Sequence, residues 1–323
     1  MPGTTYIGQV TRALGDAMRA DERVFVLGED VAEGGPYTAT AGLAAEFGTR
    51  RVINTPISEA AITGVAIGAA QSGMRPVLEI MFVDFITLAL DQLVNAAAKA
   101  HFMSGGQLTV PLVVRTQGGA GQRGAAQHSQ SLESWLTHVP GLKVVMPSRA
   151  ADIAGLLASA IADPNPVVFI ECKTLYFRRE EVPEPPPAVP IGEAAVLRAG
   201  RDVTIVALSR LVPEALAAAE RLAAEDGIEA EVIDPRTLVP LDLGTILASV
   251  RRTGRLVVAH EAVERGGFGA EVAARVQHDA FDDLDAPVCR VAAPFAPIPF
   301  SATLEDLYLP GADEIVTAVR GLR

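Results

Sequence analysis

Two rhythms of apolar residues alternate along the C-terminal part of the chain. "DVTIVAL", "EAEVID", "RLVVAHE" and "PVCRVAA" are short apolar runs bounded by turn residues, the pattern of strands buried on both faces. Between them, "VPEALAAAERLAAED", "GTILASVRRTG" and "GAEVAARVQHDAF" repeat apolar residues at helical spacing, and Gly227 closes the first of these helices. The N-terminal part repeats the theme. "RVFVLGED", "RPVLEIMF", "VPLVVRT", "LKVVMPS" and "PVVFIE" read as strands. "EAAITGVAIGAAQSG", with Ser58 as its expected cap, "ITLALDQLVNAAAKAHFMSGG", closed by Gly105-Gly106, and "DIAGLLASAIAD" read as helices. The alternation predicts an α/β fold with mostly parallel sheets covered on both faces. It is interrupted once. "EEVPEPPPAVP" (Glu180 to Pro190) holds five prolines and supports neither a helix nor a central strand. Domains are therefore expected at 1–180 and 191–323, joined by an extended linker at 181–190.

Composition narrows the possible functions. Apolar residues form 49% of the 323 and aromatics only 5%, so packing relies on small side chains. A net charge of -12 argues against a nucleic-acid partner, which needs basic surface. Two cysteines, Cys172 and Cys289, stand far apart with no C-x-x-C, which fits a reducing compartment and excludes a cysteine-held cluster or zinc site. "MPGTTYIGQV" has no signal pattern, and the longest small-apolar run, Ala60 to Ala70, is too short to span a bilayer. A soluble cytoplasmic protein without a membrane partner is expected.

After the strand "VPLVVRT" comes Gly119-Ala-Gly121-Gln-Arg-Gly124, the spacing of a dinucleotide loop. Three features oppose NAD binding. No helix follows directly to receive a pyrophosphate on its N-terminus. The next strand ends in Ser148-Arg149 and not in a ribose-binding acid. The loop also lies deep within its domain and not at its first turn. The glycines are better read as letting backbone and His128 approach a ligand; a plain surface loop is the alternative.

Several segments, in collinear order, carry a family pattern: "LGEDV", "GLAAEFGTRRVINTPISE", "RPVLEIMFVDF", "DQLVNAAAKAHFMSGGQ", "AAQHSQS", "HVPGLKVVMPS", "DPNPVVFIE" and "GGFGAEVAA". Together the chain resembles the β subunits of thiamin-diphosphate-dependent 2-oxo acid dehydrogenase E1 components, of the pyruvate, branched-chain and acetoin types, in the transketolase-like superfamily. The resemblance implies a pyrimidine-binding domain followed by a transketolase C-terminal domain, and an α2β2 heterotetramer. It also implies thiamin diphosphate shared with the α subunit, which binds the diphosphate and Mg2+. Gly-Asp-Gly, the start of the family's diphosphate–magnesium motif, occurs nowhere in this chain.

The implied reaction is oxidative decarboxylation of a small 2-oxo acid and reductive acylation of the lipoyl groups of an E2 acyltransferase. Phe85, where branched-chain types often carry tyrosine, tilts the reading towards pyruvate. An acetoin dehydrogenase β subunit and a non-catalytic structural subunit are the alternatives.

The same resemblance implies the site. Glu59 of "TPISE" matches the glutamate that hydrogen-bonds the aminopyrimidine nitrogen, though a first-turn helix acid is also commonplace. His128 of "HSQS" matches a histidine that moves protons around the intermediate and aids acyl transfer. Ile57 and Phe85 match contacts to the aminopyrimidine, with core packing as the alternative. Glu29 and Asp91 match acids of a water-lined path between active sites. A potassium site is implied at Asp163 and Asn165 with the carbonyls of Leu112, Ala160 and Ile161, although Asp-Pro-Asn-Pro also makes an ordinary helix-ending turn. Gly64 and Gly68, spaced G-x-x-x-G, suit close helix packing within or between chains. His260, Glu261 and Arg265, before "GGFG", carry no assigned chemistry.

Overall fold

The structure, a computed structural model, describes residues 3–322. Met1, Pro2 and Arg323, at the outer ends of the two expected domains, lie outside the described residues. The chain forms two compact units. The first contains residues up to Gly118 together with Trp135–Ile191. The second contains Gly119–Ser134 together with Gly192 onwards. The glycine loop and His128, expected within 1–180, are thus packed into the second unit. Among the described residues, no helix is long and apolar enough to cross a membrane.

In the first unit, strands run parallel in the order Lys143–Val145, Val167–Cys172, Val113–Gly118, Arg75–Ile80, Val24–Gly28, Val52–Asn54. Val113–Gly118 and Val167–Cys172 are buried along their whole length, as uninterrupted apolar strands require. No element was expected before Val24, yet the chain forms the helix Tyr6–Ala20. Thr5 caps it by accepting from the Gly8 amide at 3.1 Å, and Tyr6, Val10, Leu14 and Met18 bury one face. The long helix expected after Phe85 is real but not uniform. Ile86–Asp91 and Ala98–Met103 are α-helical, while Gln92–Ala97 widens into a π-helical turn. Gly105 and Gly106 end it at φ of 64° and 87°.

Beneath the strand ends lies a buried ion cluster. Arg115 grips Glu171 with two nitrogens, at 2.6 and 2.8 Å, and Glu79 with a third at 2.7 Å. All three side chains are fully inaccessible, and the Tyr176 hydroxyl donates to Glu171 at 2.6 Å. The three strands that carry them are neighbours in the sheet. Charges buried this way stay together because removing one partner strands another, at a cost of about 3–5 kcal/mol.

The second unit holds a sheet ordered Cys289–Ala293, Leu256–Val263, Val203–Ala207, Ala230–Asp234, Ala195–Arg198. The first four strands are parallel and the last is an antiparallel edge. Helix Leu211–Asp226 ends where predicted, at Gly227 with φ 67°. Leu243–Thr253 is capped by Asp242, which accepts from the Thr245 amide at 3.0 Å. Two further helices, Ala302–Tyr308 and Ala312–Gly321, follow the last strand.

The proline-rich stretch is packed rather than free. Within the first unit, a Cβ added at Gly155 of helix Ala150–Ala162 meets the Pro187 carbonyl oxygen at 2.3 Å. Gly155→Ala should therefore destabilise the first unit by about 1–3 kcal/mol through overpacking, against the gain of about 1 kcal/mol that helix propensity alone gives. Denaturant melting reads the sign; a variant more stable than the parent would show that the proline run is loosely held.

Candidate active site

Glu59 opens the helix Glu59–Gln71 at the end of the turn "TPIS". It is a buried carboxyl, only 7% exposed, whereas Ile57 two residues earlier is 81% exposed. Ser58 occupies the cap position, but its side chain accepts no cap hydrogen bond, a departure from the expected role. Its backbone, at φ -165° and ψ 79°, leaves the hydroxyl exposed. Glu29 lies at the end of the neighbouring strand Val24–Gly28. Its carboxyl is pushed up from the usual value by burial first, then by the charges of Glu59 and Asp30. Two carboxyl groups thus share one partly buried corner, and one is biased to keep its proton.

Phe85 is half-buried, edge-on to Phe82 with ring centroids 6.0 Å apart. The buried Lys173 ammonium stands over the Phe82 ring at 4.9 Å. Asp91 is exposed on this chain; it accepts from Asn95 at 2.7 Å and Gln92 at 3.1 Å. On the helix Glu59–Gln71, a Cβ at Gly64 would touch the Gln92 side chain at 3.6 Å, while Gly68 faces open space.

The residues of the expected cation site lie in the first unit. Asp163 accepts from the Asn165 amide at 2.9 Å and pairs with Lys143. The Leu112 carbonyl accepts from Val167 at 2.9 Å, the Ala160 carbonyl from Asp163 at 3.3 Å, and the Ile161 carbonyl from Arg75 at 2.5 Å. The donors are hard oxygens, and two of the chain's own cations are already drawn to them.

In the second unit, amides of the glycine loop donate to carboxyl groups of the chain itself. The Ala120 amide donates to Glu261. Gly121 donates to Glu305 at 2.8 Å and the Arg123 amide to Glu305 at 3.1 Å. The exposed His128 follows within the same segment. A cavity of about 220 Å³ adjoins it, lined in part by Gln130, Leu132, Glu261, Val263 and Tyr308.

His260 and Glu261 are successive residues of one strand, so their side chains leave it on opposite faces. A Cβ at Gly267 or Gly269 would lie 2.4 and 2.6 Å from the His260 ring. This close approach accounts for the glycines of "GGFG". Burial pulls the His260 imidazole down to about 4, so it is neutral at physiological pH.

Comparison with known proteins places this architecture. The transketolase pyrimidine-binding domain matches residues 4–178 and the transketolase C-terminal domain residues 192–315. The chain is 49% identical over 312 residues to the pyruvate dehydrogenase E1 component subunit beta of Rhizobium meliloti, covering 96% of this chain and 68% of that protein. The chain belongs to the E1 β-subunit family. It is also 48% identical over 321 residues to the acetoin:2,6-dichlorophenolindophenol oxidoreductase subunit beta of Bacillus subtilis, covering 95% and 94% of the two chains. Among solved structures, a split gene transketolase described as an inactive beta4 tetramer superposes with a TM-score of 0.80 at 27% identity, covering 99% of this chain and 98% of that one.

For an E1 β-type chain, the acids of the second unit were not anticipated as site residues. Glu261 was signalled only as part of "HE", and Glu305 had no local signal. Glu133, just after the loop, is 1% exposed, and among the described residues its Oε2 has no partner. Burial, reinforced by the charge of Glu261, pushes its carboxyl up to about 7. The folded chain therefore holds this proton up to neutrality, while the unfolded chain releases it near 4.5. Stability from this group is complete in acid and lost as pH rises through about 7. Glu133→Gln should stabilise the second unit by up to about 3 kcal/mol at pH 8 and change little at pH 4. Melting curves at both pH values test this; equal shifts at the two would place the proton elsewhere.

Proposed function

We propose that this chain is the β subunit of the E1 component of a 2-oxo acid dehydrogenase complex, working in the cytoplasm. With an α subunit, in an α2β2 heterotetramer, it decarboxylates a 2-oxo acid oxidatively, pyruvate first, and acylates the lipoyl groups of an E2 acyltransferase. The reading rests on one observation: a buried carboxyl, Glu59, beside an exposed Ile57, within the segment matched by the pyrimidine-binding domain. When bound, thiamin diphosphate supplies the electron sink that decarboxylation needs.

The residues then take these parts. Glu59 would hold a proton at the aminopyrimidine nitrogen, and Ile57 and Phe85 would contact that ring. Glu29, its carboxyl raised by burial and by the charge of Glu59, eases the meeting of two negative charges at this corner. His128, on the exposed loop, moves a proton during acyl transfer. The α subunit holds the diphosphate and Mg2+, in keeping with the missing Gly-Asp-Gly. A potassium ion would take the oxygens of Leu112, Ala160, Ile161, Asp163 and Asn165, in competition with Lys143 and Arg75. Partner binding is supported by exposed apolar residues of the first unit: Val65 is 64% exposed, Leu88 57% and Phe102 87%.

Acetoin is the second reading, favoured by the 48% identity to acetoin-oxidising relatives of Bacillus subtilis and Cupriavidus necator.

Co-expression with the α subunit and assay against pyruvate, a branched 2-oxo acid and acetoin, in potassium and in sodium buffers, tests the proposal. Glu59→Gln should lower the rate with the preferred substrate about 10²–10⁴-fold, with the assembly intact. An unchanged rate would make this a structural subunit. Equal rates in the two buffers would remove potassium from the account.

A further inference from the structure

We propose that Glu305 and Glu261 are positioning residues for His128, two internal carboxylates that fill the anion cradle of the glycine loop. The proposal rests on the reading of His128 given above and deepens it.

The geometry lies wholly within the second unit. Successive amides of a loop with residues in the left-handed region make a concave nest that attracts an anion. Here Gly119 and Gly121 have φ of 88° and 95°, and Arg123 and Ala125 have 60° and 57°, unusual for residues with a Cβ. Glu305 is fully buried and spends both oxygens on the loop. Oε1 accepts from the Gly121 amide at 2.8 Å; Oε2 accepts from the Arg123 amide at 3.1 Å and from the Arg123 guanidinium at 2.6 Å. Glu261 accepts from the Ala120 amide and is itself held by Arg210 at 3.0 Å. Arg210 in turn donates to the Pro310 carbonyl at 2.6 Å, tying the clamp to the chain just beyond the helix that carries Glu305.

The glycines are required by this arrangement. A Cβ at Gly119 would lie 3.1 Å from a Glu261 oxygen. A Cβ at Gly124 would lie 2.9 Å from the His128 carbonyl oxygen and 3.1 Å from the His128 Cβ. The Gly119 amide also donates to the Gln130 carbonyl at 3.0 Å, so the segment from Gly119 to Gln130 is closed at both ends with His128 inside it. Hydrogen bonds from amides to a charged carboxylate are about twice as strong as neutral ones. Fixing a loop before reaction removes the entropy of ordering it during reaction. Two carboxylates bonded to three backbone amides therefore set where His128 stands without touching substrate.

The test uses the chain assembled with its α subunit. In the parent assembly, hydrogen exchange should show the amides of Ala120, Gly121 and Arg123 protected well above that of the neighbouring Gln127. Glu305→Gln, which keeps the size but loses one acceptor oxygen, should speed exchange at Gly121 and Arg123 about tenfold or more. It should lower kcat about tenfold while leaving KM within about threefold. In a His128→Ala background, the same substitution should add little further loss, because both act through one side chain. Unprotected amides in the parent would overturn the proposal without any variant. So would unchanged exchange in Glu305→Gln, or kcat losses that multiply in the double variant. If His128→Ala alone keeps full activity, the role given to His128 fails, while the exchange data still judge the clamp.

Discussion

Two carboxyl groups share a partly buried corner, Glu59 at a helix start and Glu29 at a strand end, and the proposed chemistry depends on them. Taking charge out of water is costly, and two like charges side by side cost more. The corner lowers that cost by biasing Glu29 towards its protonated form. In the proposed reaction Glu59 is the group that meets the ring nitrogen, and Glu29 eases the charge beside it. The parallel sheet serves this end, because strand ends and helix starts meet along one edge of such a sheet, where ligands of α/β folds bind.

The chain's other buried carboxylates are treated in a different way, and the contrast sharpens the assignment. Glu79 and Glu171 are both bonded by Arg115 deep among three adjacent strands. Glu305 is saturated by two amides and a guanidinium. Such groups are bonded within the chain and hold structure. Glu133 stands between these cases: buried, pushed up by its surroundings, and placed beside the cavity wall formed by Leu132 and Glu261.

Much of the fold was legible because the apolar runs were unambiguous. Val203–Ala207 is a β-branched run and Ala230–Asp234 is buried along its length, both as a doubly covered sheet requires, and Gly227 marked a helix end in the sequence and in the structure. The helix Tyr6–Ala20 carries a clear stripe, with Tyr6, Val10, Leu14 and Met18 four apart, so its spacing was a usable signal left unread. The π-helical turn at Gln92–Ala97 has no residue signature. The linker was visible from its prolines, yet its packing against Gly155 is a tertiary fact. At the candidate site, Glu59, Ile57 and Phe85 are proposed through a resemblance, since a first-turn acid carries no message of its own. Gly-x-Gly-x-x-Gly was visible too, but what its amides hold was not. The partners, Glu261 and Glu305, lie 141 and 184 residues further along, beyond any local pattern.

The most direct test is a structure of the chain assembled with its α subunit and soaked with thiamin diphosphate and Mg2+. The Glu59 carboxyl should lie within hydrogen-bond distance, about 2.6–3.2 Å, of the aminopyrimidine nitrogen, with the phosphates held by the α subunit. A coenzyme ring far from Glu59, or phosphates held by this chain alone, would contradict the account.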